Sequence, residues 1–254
     1  MLTDVHCHLT HGLFDDLDKV IQRARDAGVK RIITAGTNNE TNKQVIGLTE
    51  KYPDIVRASL GMYPLDALGI DDDGMQGPPE DVDQAIEYIL NNKDKIVGVG
   101  EIGMDFKTVT RIEQQIKIFK KFVDVAKKIG KPVIVHSRKA EKEVVEVLGF
   151  QPVKSVLHCF GGRKSLVKQA AEDGMYFSIP PILLRSSHFE MIVNTVNINQ
   201  LLTETDAPWL NNLEERNEPA NVSRTVERIA KIKGLDTKEA ETILYANYQK
   251  VFKD

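Results

Sequence analysis

KIVGVGEIG (95–103), RIEQQIKIFKKFVDVAKKIG (111–130) and PVIVHSR (132–138) follow one another in the middle of the chain. The two outer stretches are short, rich in Val and Ile, and lack polar alternation, as parallel strands buried on both faces do. The middle stretch is amphipathic. Ile112, Ile116, Phe119, Val123 and Ala126 recur at three and four residues and share one helical face. Gly130 stops that helix and Pro132 opens the next strand region. The reading is strand, helix, parallel strand.

The same pattern extends in both directions. LTDVHCHL, KRIITAG and IVRASLG precede the central unit; VKSVLHCF, GMYFSIPP and QLLTETDAP follow it. Eight strand candidates, each followed by a helix or loop, predict an α/β fold built as a single (β/α)8 TIM barrel. A doubly wound open sheet is the alternative. The 254 residues suit one such domain, assigned to 1–254. The C-terminal helix begins with capping-box spacing at Asp236 and Glu239. One long connection, residues 62–80, contains Asp71, Asp72, Asp73 and Gly74. It is not a calcium loop, because Gly69 falls where the first ligand should be. A surface turn is expected, with a flap over the active site as the second reading.

Composition narrows the function classes. Hydrophobic residues make up 41% and charged residues 28%, and the net charge is -3. There is no global attraction to nucleic acid or anionic membrane, so a polyanionic substrate needs a local cation. Cys7 and Cys159 form no C-x-x-C motif and read as reduced, buried residues behind the site. The N-terminus has no signal pattern and no apolar run reaches membrane length. The expectation is a cytoplasmic protein with no membrane association and no obligate protein partner.

Side chains alternate along a strand, so Asp4, His6 and His8 should share a face that Cys7 leaves. Alone, H-x-H is as readily a pair of hydrogen-bonded core histidines. Further ligand-type residues end other apolar runs: Glu101, His136, His158 and Asp206. Barrel enzymes build their active sites at these C-terminal strand ends. Four histidines and two carboxylates suit divalent ions such as zinc or manganese. They exceed what one tetrahedral ion needs and point to two, with Glu101 the central candidate for a bridge. A two-ion site acidifies a bound water and stabilises attacking and leaving oxygens together, which is hydrolase chemistry. Arg138 is a candidate phosphate contact, because a guanidinium fork matches its oxygens. Arg216 and Asn217 either shape the loop after the eighth strand or touch substrate, and Trp209 either stacks a base or packs in the core. His11 and His188 read as solvated or surface residues. Asp105 reads as a supporting residue or a helix start.

DVHCHL, GEIGMDF, PVIVHSRKA, VLHCFGG, TETDAPWL and RNEPANV together resemble the TatD-type metal-dependent deoxyribonucleases, within the amidohydrolase-like barrel hydrolases. The resemblance spans nearly the whole chain, in family order. It implies hydrolysis of DNA phosphodiester bonds, often from the 3′ end, by a cluster of two, sometimes three, divalent ions (zinc, manganese or magnesium). By position it implies that His6 and His8 hold the first ion and that Glu101 bridges to a second held by His136 and His158. Asp206 completes the first site and orients or deprotonates the attacking water. Asp4 becomes a residue that fixes a histidine. The match breaks at GMYP, where Tyr63 stands in place of the family's histidine. Tyrosine titrates near 10 and histidine near 6.5, so Tyr63 is expected to donate to a phosphate oxygen and not to shuttle protons. Lys139 adds positive charge where the family often has aspartate. This departure favours, as the alternative, hydrolysis of another phosphoester, an amide or an aminoacyl-tRNA ester. A non-enzymatic binding barrel ranks last, since idle buried ligands are costly.

Overall fold

The structure is a computed structural model and describes residues 1–71, 73–108, 111–149, 151–210 and 216–254. The first half of the described chain runs β1 (Leu2–Cys7), α1 (Leu17–Asp26), β2 (Val29–Ala35), α2 (Asn39–Lys51), β3 (Val56–Leu60), α3 (Val82–Asn91) and β4 (Ile96–Gly103). The second runs α4 (Ile112–Ile129), β5 (Val133–His136), α5 (Glu141–Leu148), β6 (Ser155–His158), α6 (Lys164–Glu172), β7 (Tyr176–Ile179), α7 (Ser187–Thr195), β8 (Leu201–Thr203), α8 (Val222–Lys233) and α9 (Thr237–Phe252). The eight strands are parallel and stand in chain order. The loop after β8 closes the ring on β1: Asp206 N donates to His6 O at 2.9 Å and His8 N to Ala207 O at 2.8 Å. This is the expected (β/α)8 barrel, and all eight apolar runs became its strands. No described helix is long and apolar enough to cross a membrane.

The interior below the site is filled by side chains. Val5, Ile33, Val97, Ile134, Val156, Tyr176 and Leu202 form one cluster with Tyr248, Val251 and Phe252 of α9. Helix α9 thus packs against the barrel interior. The N-terminal Asp236 caps α9 through Glu239 N at 2.7 Å, as its spacing implied. After α9, Asp254 accepts from Arg31 Nε at 2.5 Å, Arg57 Nε at 2.6 Å and Tyr248 Oη at 2.9 Å. The larger cluster lies between strands and helices.

Three local expectations need correction. Ile112, at the first turn of α4, is 43% exposed, whereas Gln115 is buried. The helix face turns at its start because Gln115 reaches the barrel, where its amide accepts from Asp105 N at 2.7 Å and donates to Asp105 O at 2.8 Å. On β1, strict alternation fails: the ladder to β2 slips between Asp4 and Cys7, and Val5 joins the inner cluster. Connection 62–80 is not only a surface turn. Leu65, Leu68 and Ile70 are buried together, and Ile70 and Asp71 wall the main cavity. Asp71 accepts from Asp73 N and Met75 N, which makes a turn; Asp72 lies outside the described residues.

Candidate metal centre

The strand ends bring together all six residues expected to bind metal. His6 lies in β1, His8 just after it, Glu101 in β4, and His136 and His158 end β5 and β6. Asp206 differs. Strand β8 stops at Thr203, and Asp206 stands three residues further on with φ of 55°. Its left-handed backbone is held by the bond from its N–H to His6 O. Cys159, after β6, also has positive φ, at 42°. Such strain in non-glycine residues gathers at functional sites. Glycines let the strands carry Glu101 inward: a Cβ on Gly100 would meet Ile134 O at 2.6 Å, and one on Gly103 would meet His136 O at 2.0 Å.

The donor atoms sort into two groups. His6 Nε2 and His8 Nε2 are 3.2 Å apart, and Asp206 Oδ1 lies 3.5 and 3.3 Å from them. Glu101 Oε2 joins this group at 3.6 and 3.4 Å from the same two nitrogens. Glu101 Oε1 belongs to the other group, 2.9 Å from His136 Nδ1 and 3.0 Å from His158 Nε2, which are 3.2 Å from each other. Donors around a tetrahedral ion with bonds of about 2.0–2.1 Å stand roughly 3.3–3.4 Å apart. The donor set therefore fits divalent ions, with imidazoles and carboxylates of the right type and spacing. One oxygen of Glu101 faces each group.

Supporting contacts are uneven. His136 turns Nε2 to Asp105 Oδ2 at 2.9 Å, the carboxylate-on-histidine arrangement that orients a ligand. Asp105 also accepts from Tyr63 Oη at 2.7 Å, Arg138 Nε at 2.6 Å and Lys107 N at 2.8 Å. These bonds outweigh its burial and hold its pKa below the usual carboxylate range. Burial opposes charge on His136, but the bonds to Asp105 and Glu101 prevail and raise its pKa to about 9. Burial would also neutralise Glu101, yet the surrounding histidines hold it well below the carboxylate range. His6, fully buried beside His158, is pushed well down. Its Nδ1 has no hydrogen-bond partner among the described residues.

Several roles differ from expectation. Asp4 does not touch a histidine ring. It accepts from the backbone of His6 at 3.3 Å and from Thr205 N and Oγ1, binding β1 to the loop after β8, while burial raises its pKa to about 7. Tyr63 gives its single proton to Asp105 and accepts from Arg138 Nη2 at 2.9 Å, so the expected donation to phosphate is already spent on the protein. Asn217 is buried, and its side chain is engaged within the loop after β8. Its amide donates to Thr205 O and Trp209 O and its carbonyl accepts from Glu218 N and Asn221 Nδ2. Arg216 ties the same loop to Leu13 O and Asp16. Cys7 is buried, but Cys159 is half-buried and lines the cavity. His11 packs edge-on against Trp209, and His188 meets Phe160 O at 2.9 Å.

Glu204 was missed. It is buried, accepts from Cys159 N and Ser178 Oγ, and lies 3.9 Å from His158 Nδ1. Its burial pushes its pKa well up. Its signal in the sequence is weaker than that of Glu101, because it stands between Thr203 and Thr205 just past the apolar Leu201 and Leu202. All these strand ends open into a cavity of about 620 Å³.

A closed (β/α)8 barrel with a carboxylate–histidine cluster at its C-terminal strand ends is the architecture of a metal-dependent barrel hydrolase. The family model described as TatD related DNase matches residues 3–253, and the chain belongs to that family. It is 33% identical to the deoxyribonuclease TATDN3 of Homo sapiens, over 99% of this chain and 94% of that protein. It is 32% identical to an uncharacterized metal-dependent hydrolase of Methanocaldococcus jannaschii, over 98% of this chain and 96% of that one. Among solved structures it is similar to a TatD homolog of Escherichia coli K12, with a TM-score of 0.87 and 26% identity, covering 100% of this chain and 98% of that chain.

Proposed function

We propose that this chain is a nuclease that hydrolyses phosphodiester bonds of DNA through a centre of two divalent ions, zinc, manganese or magnesium. The observation that carries the reading is Glu101, whose Oε2 faces His6 and His8 and whose Oε1 faces His136 and His158. When bound, such a pair of ions acidifies water and neutralises charge on the attacking and leaving oxygens.

The chain's own residues do the rest. Glu101 fixes the spacing of the two groups. Asp206 lines the cavity and is more open than Glu101, with side-chain exposures of 14% and 4%. This openness supports the reading that Asp206 orients the attacking water and takes its proton. Asp105 holds His136 at a fixed angle, and Tyr63 and Arg138 in turn hold Asp105. Arg138 lines the same cavity; its Nε and Nη2 bind Asp105 and Tyr63, so what it brings to a phosphate is its positive charge. Among the described residues, the cavity wall otherwise carries five carboxylates, Asp66, Asp71, Glu101, Glu141 and Asp206. Phosphate binding there depends on the ions, because Arg138 is the one arginine among the described residues of the wall.

The acidic wall and the engaged hydroxyl of Tyr63 also favour a second reading, in which the same centre hydrolyses a smaller phosphoester, an amide or an aminoacyl ester. One experiment separates the two. Protein stripped by chelator and restored with zinc, manganese or magnesium should degrade single- or double-stranded DNA, and Asp206→Ala should not. Restored protein that cuts neither strand form while hydrolysing another ester overturns the nuclease reading.

A further inference from the structure

Trp209 is the chain's single tryptophan. The sequence left it between core packing and base stacking. It is not in the core: it is 45% exposed and lines the cavity that holds the metal-ligand cluster. Its ring lies 5.1 Å from that of His8 and 4.9 Å from that of His11, with interplanar angles of 64° and 74°. Both contacts are edge-type, so neither histidine stacks flat on the indole.

The backbone that carries the ring is also held in place. Trp209 N donates to Asp206 O at 2.9 Å, and Trp209 O accepts from the buried Asn217 at 2.7 Å. Asp206 and Trp209 are therefore parts of one turn. The same buried amide also binds Thr205 O, so Asn217 ties the backbone at Trp209 to the segment that leads into Asp206. An exposed aromatic ring with a fixed backbone, beside a site suited to phosphate, meets the chemistry of a nucleotide. The phosphate is negative and the base presents a π-face that any aromatic ring accepts. The carboxylate-rich wall disfavours the continuous phosphate track of a duplex, so a stacked base is the stronger source of binding.

We propose that Trp209, braced by His8 and His11, is a stacking platform for the unpaired base of the nucleotide whose phosphate occupies the metal centre. This rests on the nuclease reading above and adds to it a named contact for the base.

The test uses the full-length, metal-restored protein and two single-stranded oligonucleotides of equal length and phosphate count, one with bases and one abasic. Trp209→Ala should lower kcat/KM on the base-bearing strand about 5- to 150-fold more than on the abasic strand, the range of one base–aromatic stack. Trp209→Phe should restore most of the loss. Equal loss on both strands, or no loss on either, overturns the platform and leaves Trp209 as a support for His8. Tryptophan fluorescence gives a readout without turnover: the base-bearing strand should quench it and the abasic strand should not. If the wild-type protein cleaves neither strand, the nuclease reading falls, and the quenching comparison alone then decides whether the ring stacks bases.

Discussion

At the N-terminal end of the barrel the charges are matched. Asp254 closes on Arg31, Arg57 and Tyr248, and the layer above it is apolar, with Phe252 and Val251 against strand residues. At the C-terminal end, four histidines and two carboxylates crowd their donor atoms within 2.9–3.6 Å of neighbours. Asp206 and Cys159 there take left-handed backbone angles, and His6 and His158 each keep a buried nitrogen with no hydrogen-bond partner among the described residues. One end minimises its own free energy. The other gathers donor atoms of the kind that hold divalent ions, above an apolar layer that stabilises the fold.

Changes at the two ends should therefore have different consequences. The largest effect is expected for Glu101→Ala, which removes a donor from both groups. Activity should fall at least about a thousandfold, several kcal/mol of transition-state stabilisation, with the circular dichroism of the fold retained. Loss of folding instead of activity would mean that the cluster is structural. At the other end, Phe252→Ala should cost about 3–5 kcal/mol of stability and lower Tm by about 6–20 °C. Its kcat, measured well below Tm, should match wild type; a matching loss of kcat would erase the contrast between the ends.

A smaller effect is expected one contact out from the ligands. Asp105→Asn removes the charge that orients His136, and ion affinity or activity should fall about 10- to 100-fold, read by metal titration. The pH dependence sharpens the same point. In the metal-free chain His136 has its pKa raised to about 9, so below that pH its ring carries a proton that an incoming ion must displace. Affinity for an ion at Glu101, His136 and His158 should rise with pH, about tenfold per unit, and level off above about 9. Calorimetric titrations at pH 6.5, 7.5 and 8.5 check this, and a flat profile would refute it.

The sequence carried the barrel because most strand positions are buried, so each strand reads as a short, mostly apolar run, from LTDVHCHL to QLLTETDAP. It carried the six ligand candidates because each is a polar residue interrupting such a run at its end. What it did not carry depends on partners distant in the chain. Nothing near Gln115 says that its amide will clamp Asp105, and the helical pattern favoured Ile112 in its place. Alternation along β1 separated His6 and His8 from Cys7 but could not register the slip that turns Val5 inward. Tyr63 reads as a donor to substrate until Asp105, 42 residues away, is seen to take its proton. Asn217 is a polar residue in a loop, and only the fold shows that its amide is consumed by Thr205 and Trp209.

The central claim is that Glu101 joins two ion sites. Metal content per chain, measured by plasma mass spectrometry on chelator-stripped protein reloaded with zinc or manganese, tests it most directly. The account predicts two ions per wild-type chain, and a marked loss at both sites in Glu101→Ala. One ion or none in wild type, or an unchanged count in Glu101→Ala, would contradict it.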